Sequence, residues 1–177
     1  MELSATGRVI LGLVATQPRS GYDIKAMVDK STRFFWAASY GQIYPELKRL
    51  AERGLIEGAD ESLGERPRTV YAITERGREA LSAWLASDEQ VHELRDEALL
   101  KLFFSGHASH AELVSVLETK RRVHLDTLAR FREIEPHAAA SEDFGPLMVL
   151  RYGIALQEFA GDWCERALAD LNKREGT

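Results

Sequence analysis

The stretch Ser39-Tyr40-Gly41-Gln42-Ile43-Tyr44-Pro45-Glu46-Leu47-Lys48-Arg49-Leu50 reads as a helix with two unlike faces. Ile43, Leu47 and Leu50 recur at spacings of four and three and share one apolar stripe. At about 100° per residue, Gly41, Pro45 and Lys48 fall on the opposite side. Gln42 and Arg49 flank them on one edge and Tyr44 on the other. This outer face is small in the middle and ringed by hydrogen-bonding groups, so the helix backbone can come close to a surface. Donors and a long cation beside it suit base edges and phosphates. Ser39 is the expected N-cap, and Gln42 three residues later completes a capping-box pattern. Pro45 then falls about two turns in, where it forfeits a bond to the Gly41 carbonyl and should disturb the helix locally, but it is tolerated because a helix start is already poor in internal bonds. Taken alone, the stretch fits an amphipathic core helix with a kink equally well.

Its neighbours decide between the two readings. Upstream, Ser4 to Thr16 is nearly all apolar and predicts a helix buried on most sides, which Pro18 ends. Ser20 can cap a second helix, with Asp23 in its first turn and Ile24, Met27 and Val28 as its stripe. Ser31 to Ala38 connects it to the third helix, and its aromatics Phe34, Phe35 and Trp36 are expected to tuck into the core. Downstream, Gly54 closes the third helix. Residues 55–60 and 68–73 read as two strands joined by a polar turn containing Gly64. Thr74 caps a fourth helix to Ser87, with Leu81, Trp84 and Leu85 on its apolar side. The order helix, helix, helix, strand, strand, helix is that of a winged helix-turn-helix. Residues 1–87 then form one domain, with the quoted stretch as recognition helix and the hairpin as wing.

The stretches Gly21-Tyr22-Asp23-Ile24, Gly41 to Leu50, Gly54-Leu55-Ile56 and Tyr71-Ala72-Ile73-Thr74-Glu75-Arg76-Gly77 resemble the winged-helix domain of the PadR family of bacterial transcriptional regulators. The likeness covers residues 3–87 and is specific as a combination of motifs. It implies a sequence-specific regulator, more often a repressor, acting as a homodimer on a pseudo-palindromic site in double-stranded promoter DNA. It also implies a helical dimerisation domain after the winged one. Ser39, Tyr40, Gln42, Tyr44, Lys48 and Arg49 on the third helix, with Arg66 and Arg68 on the wing, are the expected DNA contacts. The wing departs from a purely basic one, since Asp60, Glu61 and Glu65 accompany its arginines. Some regulators that this chain resembles answer to phenolic acids or planar hydrophobic drugs, so a small hydrophobic or phenolic effector is implied, although no residue names it.

The second half, residues 88–177, reads as helical throughout. A short apolar helix spans Leu94 to Ser105, a long one runs from Ser109 to about Glu135, and residues 136–145 form a loop. Pro146 then opens a last helix to about Arg174. On that helix Tyr152, Leu156, Phe159, Trp163, Ala167 and Leu171 keep a three-to-four spacing. Two long helices with a return loop should pack antiparallel and leave apolar surface for a second subunit. Leu117 and Leu128, with Tyr152, Leu156, Phe159 and Trp163, are the expected dimer interface.

Composition narrows the function classes. Residues 1–87 carry 12 Lys/Arg against 11 Asp/Glu and residues 88–177 carry 11 against 17, so the net charge of -5 arises in the second half. A DNA reader here needs a local basic face rather than a basic protein. No Gly-rich phosphate loop, HExxH or nucleophile elbow points to an enzyme. His107 and His110, with Glu112, are the nearest thing to a metal site, but they lie at a helix start without further ligands. His124 reads as a solvated or interface histidine and Lys120-Arg121-Arg122 as a solvated face. No cofactor or metal is expected. The lone Cys164 reads as a packing residue and fits a reducing compartment. No apolar run suits a membrane span and no signal peptide is seen, so a cytoplasmic protein is expected. The alternative class is a protein-interaction module built on the same winged helix.

Overall fold

The protein, described by a computed structural model over residues 3–32, 36, 40–61, 68–88 and 95–175, divides into two compact units, Met1–Val91 and His92–Thr177. In the first, α1 (Ala5–Thr16), α2 (Gly21–Lys30), α3 (Ile43–Glu52) and α4 (Glu75–Leu85) accompany three strands, β1 (Arg19–Ser20), β2 (Ile56–Glu61) and β3 (Arg68–Ile73). The strand order is β1-β3-β2, all antiparallel. Ile56 pairs with Ile73 and Glu61 with Arg68, so the hairpin is in register along its full length. This is the winged helix-turn-helix that the sequence predicts, with one addition. β1 is only two residues long, and its Ser20 also caps α2, so it carries no periodic signal of its own.

Local chemistry fixes each helix end. Ser4 caps α1 by accepting from the Gly7 amide, and Ser20 and Asp23 form a reciprocal capping box on α2. At the end of α3, the Gly54 amide donates to the Ala51 carbonyl and the Leu55 amide to the Leu50 carbonyl. Gly54 takes a φ of 66°, the left-handed turn that glycine adopts without steric cost. That turn sends Leu55 and Ile56 into the core and starts the wing. Thr74 ties down the other end of the wing by donating from its hydroxyl to the Gly54 carbonyl at 2.7 Å. Gly77 lets α4 close over this turn, since a Cβ there would lie 2.0 Å from the Leu55 carbonyl oxygen.

The core of the unit is one cluster built from Ile10, Leu11, Val14, Ile24, Val28, Ile43, Leu47, Leu50, Leu55, Ile56 and Ile73. Arg8 lies over the Trp84 ring and joins α1 to α4. Leu85, expected on the apolar side of α4, is exposed. In the connector, Trp36 is half-buried and donates from its indole nitrogen to the Ala5 carbonyl, while Phe34 and Phe35 lie outside the described residues.

The second unit holds α5 (Glu97–Phe103), α6 (His110–Ala139) and α7 (Phe144–Glu175). Arg121 pairs with Glu165, Arg132 with Glu158 and Glu135 with Arg151. Partner numbers fall as the others rise, which is the antiparallel register of a helical hairpin. Leu117, Leu128, Phe131, Leu147 and Cys164 are buried in it. α6 runs past Pro136, where a loop is expected from the sequence. A proline this close to a helix end forfeits a single backbone bond, and its own carbonyl still accepts from the Ala140 amide. Asp96 caps α5 through the Leu99 amide and pairs with Lys120 of α6.

Candidate nucleic-acid interface

α3 starts later than its sequence suggests. Tyr40–Gln42 is a 3-10 turn, and the α-helix begins at Ile43 without a side-chain cap from Gln42. Pro45 is therefore the third helical residue, where an amide has no partner inside the helix and its absence costs nothing. No kink is needed to accommodate it. Ser39 lies outside the described residues, as does Arg66.

The helix sorts its residues sharply. Ile43, Leu47 and Leu50 enter the core, and Gln42, Tyr44, Pro45, Lys48 and Arg49 are exposed. The Tyr44 ring packs beside Gly21 at the start of α2. Lys48 stands almost free, 79% exposed and 3.8 Å from Glu52. Arg49 is more constrained, because its Nη1 donates to Glu46 Oε2 at 2.7 Å. Glu46 itself is buried, the one buried carboxylate among the described residues. Its place in the sequence carried the signal. Ile43, Glu46, Leu47 and Leu50 follow the i, i+3, i+4, i+7 pattern of a single helix face. A carboxylate inside that face must have partners.

At the root of the wing, Arg68 is half exposed and pairs with Asp23. Asp23 also accepts from the Ser20 amide and hydroxyl, so one carboxylate joins the start of α2 to the start of β3. Burial alone would raise its pKa, but the Ser20 hydrogen bonds and the charges of Arg68 and Arg19 outweigh that and hold it below the usual aspartate value. β1, β3 and α2 thus meet where the wing leaves the domain.

In the second unit α7 carries two apolar stripes. Leu147 and Cys164 face α6 and are buried, whereas Met148, Val149, Tyr152, Leu156 and Phe159 are exposed and Trp163 is half-buried. Leu117 and Leu128 are covered within the hairpin. Leu100 and Phe103 on α5, and Phe104 just after it, are exposed as well. The basic run on α6 is only partly solvated, since Lys120 pairs with Asp96 and Arg121 with Glu165. His124 Nδ1 lies 2.6 Å from Gln157 Oε1 and links α6 to α7. Glu112 is engaged by Ser109 in the capping box of α6. Burial pushes the Cys164 thiol up, away from the reactive thiolate.

A three-helix core, a hairpin wing and an outward third helix define a DNA-reading domain of the winged-helix class. Residues 10–83 match the model of the Transcriptional regulator PadR-like family, and residues 94–172 match that of Virulence activator alpha C-term. The negative transcriptional regulator PadR of Bacillus subtilis is 32% identical, over 93% of this chain and 96% of that protein. The crystal structure of Bacillus subtilis PadR with operator DNA superimposes with a TM-score of 0.82 at 28% identity, covering 93% of this chain and 97% of that one. The structure of the same relative with p-coumaric acid gives 0.77 at 28% identity, covering 96% and 99%. The chain belongs to the PadR-like family of transcriptional regulators: it is a DNA-binding regulator and not an enzyme. No helix of the described residues is long and apolar enough to cross a membrane.

Proposed function

We propose that this regulator acts in the cytoplasm as a homodimer that reads a pseudo-palindromic promoter site and represses transcription by occluding it. The observation that carries the reading is the division of α3. Its apolar residues are spent on the core, which leaves Gln42, Tyr44, Lys48 and Arg49 together on the exposed side. Gln42 faces base edges, with Ser39 and Tyr40 as further contacts, while Lys48 serves the backbone and Arg49 meets the duplex beside it. Arg66 and Arg68 extend the contact along the wing into a neighbouring minor groove or onto its phosphates. Residues 1–87 are the DNA-binding domain and residues 88–177 the dimerisation domain. A second copy covers the outer stripe of α7, with Tyr152, Leu156, Phe159 and Trp163 as anchors and Leu117 and Leu128 shaping the hairpin beneath.

The sign of regulation rests on the relative named as a negative regulator. A phenolic or small hydrophobic effector rests on the relative crystallised with p-coumaric acid. Selection of bound fragments from genomic DNA tests the core of the proposal. It should enrich few fragments, each with two half-sites about 10 base pairs apart centre to centre. Their affinity should fall steeply with salt. A protein that enriches no sequence and shifts no duplex at low salt is an interaction module instead.

A further inference from the structure

We propose that Glu46 is a positioning residue for DNA recognition: from beneath α3 it locks the Arg49 guanidinium into one orientation on the reading face. The inference rests on the DNA-binding reading of that face.

Glu46 is 3% exposed, and each of its oxygens has a partner. Oε1 accepts from the Ser4 hydroxyl at 2.7 Å, and Oε2 accepts from Arg49 Nη1 at 2.7 Å. Ser4 is fixed in turn, because its hydroxyl oxygen accepts from the Gly7 amide as the cap of α1. Gly7 makes the room, since a Cβ there would lie 2.7 Å from Glu46 Oε1. The carboxylate therefore sits at the N-terminus of α1, where amides and the helix dipole favour negative charge. It is held from one side by α1 and holds Arg49 on the other.

A buried carboxylate whose cation swings away is left unpaired in a poor solvent, which is strongly unfavourable. The pairing therefore does more than a surface ion pair between the same residues would. Arg49 is anchored through one nitrogen, while its side chain stays 51% exposed. A guanidinium carries five donors in a rigid plane, so holding one nitrogen narrows the directions open to the rest. Less side-chain freedom remains to be lost when DNA binds, and the gain goes to sites whose acceptors match that direction. Lys48 is exposed without such an anchor, which makes it the general phosphate contact and Arg49 the selective one.

The experiment compares Glu46→Gln with the wild type on two duplexes, one recovered by the wild type from a randomised pool and one scrambled from it. Glutamine can still accept from Ser4, but it presents no negative charge to Arg49. The recovered-over-scrambled affinity ratio should fall by about tenfold. Scrambled binding should hold or strengthen, and the salt slope should steepen by about one, because Arg49 becomes an uncompensated cation. In an Arg49→Ala background, Glu46→Gln should leave the ratio unchanged, as residues acting through one another require. A parallel loss on both duplexes with an unchanged slope, or an equal fall in the ratio without Arg49, overturns the proposal. If Glu46→Gln does not fold, Ser4→Ala loosens the same carboxylate and is measured in both backgrounds. A fall in the ratio only where Arg49 is present supports the proposal, and any other result overturns it. A wild type that recovers no duplex removes the DNA-binding reading itself.

Discussion

Leu47 and Phe159 are both large apolar residues in the middle of helices, yet Leu47 is 1% exposed and Phe159 is 62% exposed. The first unit closes its core within itself. Its helix stripes, the turn at Gly54 and the strands all contribute to one cluster, and the residues left outside are mostly polar. The second unit closes only one side of a two-helix layer, and an aromatic and aliphatic stripe stays on the surface of α7. One unit therefore offers hydrogen-bonding and charged groups to a polar partner. The other offers the apolar area that protein association uses. Truncating the two residues should separate these roles. Leu47→Ala should cost about 2–5 kcal/mol and unfold the first unit at a lower denaturant concentration. The same truncation at Phe159 should leave intramolecular stability nearly unchanged. Equal unfolding shifts for the two variants would remove the contrast.

The next effect concerns association. Phe159→Ala should weaken the dimer by about 2 kcal/mol or more, the scale of an interface anchor. Sedimentation at micromolar concentration would then show monomer, and affinity for a two-half-site operator would fall much further than affinity for one half-site. Trp163→Ala is the harsher companion. Trp163 is half-buried in its own chain, so its loss mixes association with folding. A wild type that sediments as a clean monomer and still binds its operator tightly would break the dimer proposal.

Much of this organisation was legible in the sequence, because each element carried a local signal. The buried stripes of the first three helices, the Ser20 and Thr74 caps, Gly54 and the β-branched residues of β3 appear as expected, whereas the capping box expected from Ser39 and Gln42 does not, because α3 begins after Gln42 and has no side-chain cap. The rest depends on contacts between distant residues. β1 is two residues long and exists only because Arg19 and Ser20 meet Tyr71 and Val70. Pro136 reads as the start of a loop, yet it lies near the end of α6, where a missing amide costs little, as it does for Pro45 at the start of α3. Glu46 counts as polar in composition, although its position puts it in the apolar face. The stripe Tyr152, Leu156 and Phe159 was seen at the right spacing, but sequence alone could not tell it from the inner stripe through Leu147 and Cys164.

Gln42→Ala probes the polar side of the contrast. If Gln42 makes a bidentate base contact, its loss should cost about 1–3 kcal/mol on the cognate duplex and relax the preference at one position of each half-site. The fold should not change, because the Gln42 side chain makes no cap to α3. A binding-site selection that returns the wild-type motif at wild-type affinity would exclude Gln42 from base reading.

The stability of the second unit should depend on acid. Burial would raise the Asp96 pKa, but Lys120 and the Leu99 and Ala98 amides bind its charged form and lower it below the usual 3.8. A depressed carboxylate stabilises the fold above its unfolded value, and that contribution is lost as pH falls through the folded one. Asp96→Asn keeps a capping oxygen for α5 but gives up the charge facing Lys120. The variant should be less stable by about 1 kcal/mol near neutrality. The difference from the wild type should shrink towards zero below the usual aspartate range. A difference that stays constant with pH would show that the Asp96 charge adds nothing.

The smallest effect is assigned to Lys48, and its form matters more than its size. Lys48 is 79% exposed and its one close anion, Glu52, is 3.8 Å away on the same helix. Such a surface pair contributes little and leaves the ammonium available to another anion. An ammonium on a flexible stem is a point charge without the planar geometry that reads a base, so its natural partner is a phosphate. Lys48→Ala should therefore weaken cognate and scrambled duplexes by the same factor and flatten the salt slope by about one. Folding stability should stay within about 0.5 kcal/mol of the wild type, as for most surface substitutions. Arg49, adjacent in sequence, is tied down by Glu46 at 2.7 Å, so its loss should fall mainly on the cognate duplex. Neighbouring cations on one helix would then divide the work, one supplying affinity and the other selectivity. A loss confined to the cognate duplex in Lys48→Ala would reverse that division and make Lys48 the reader.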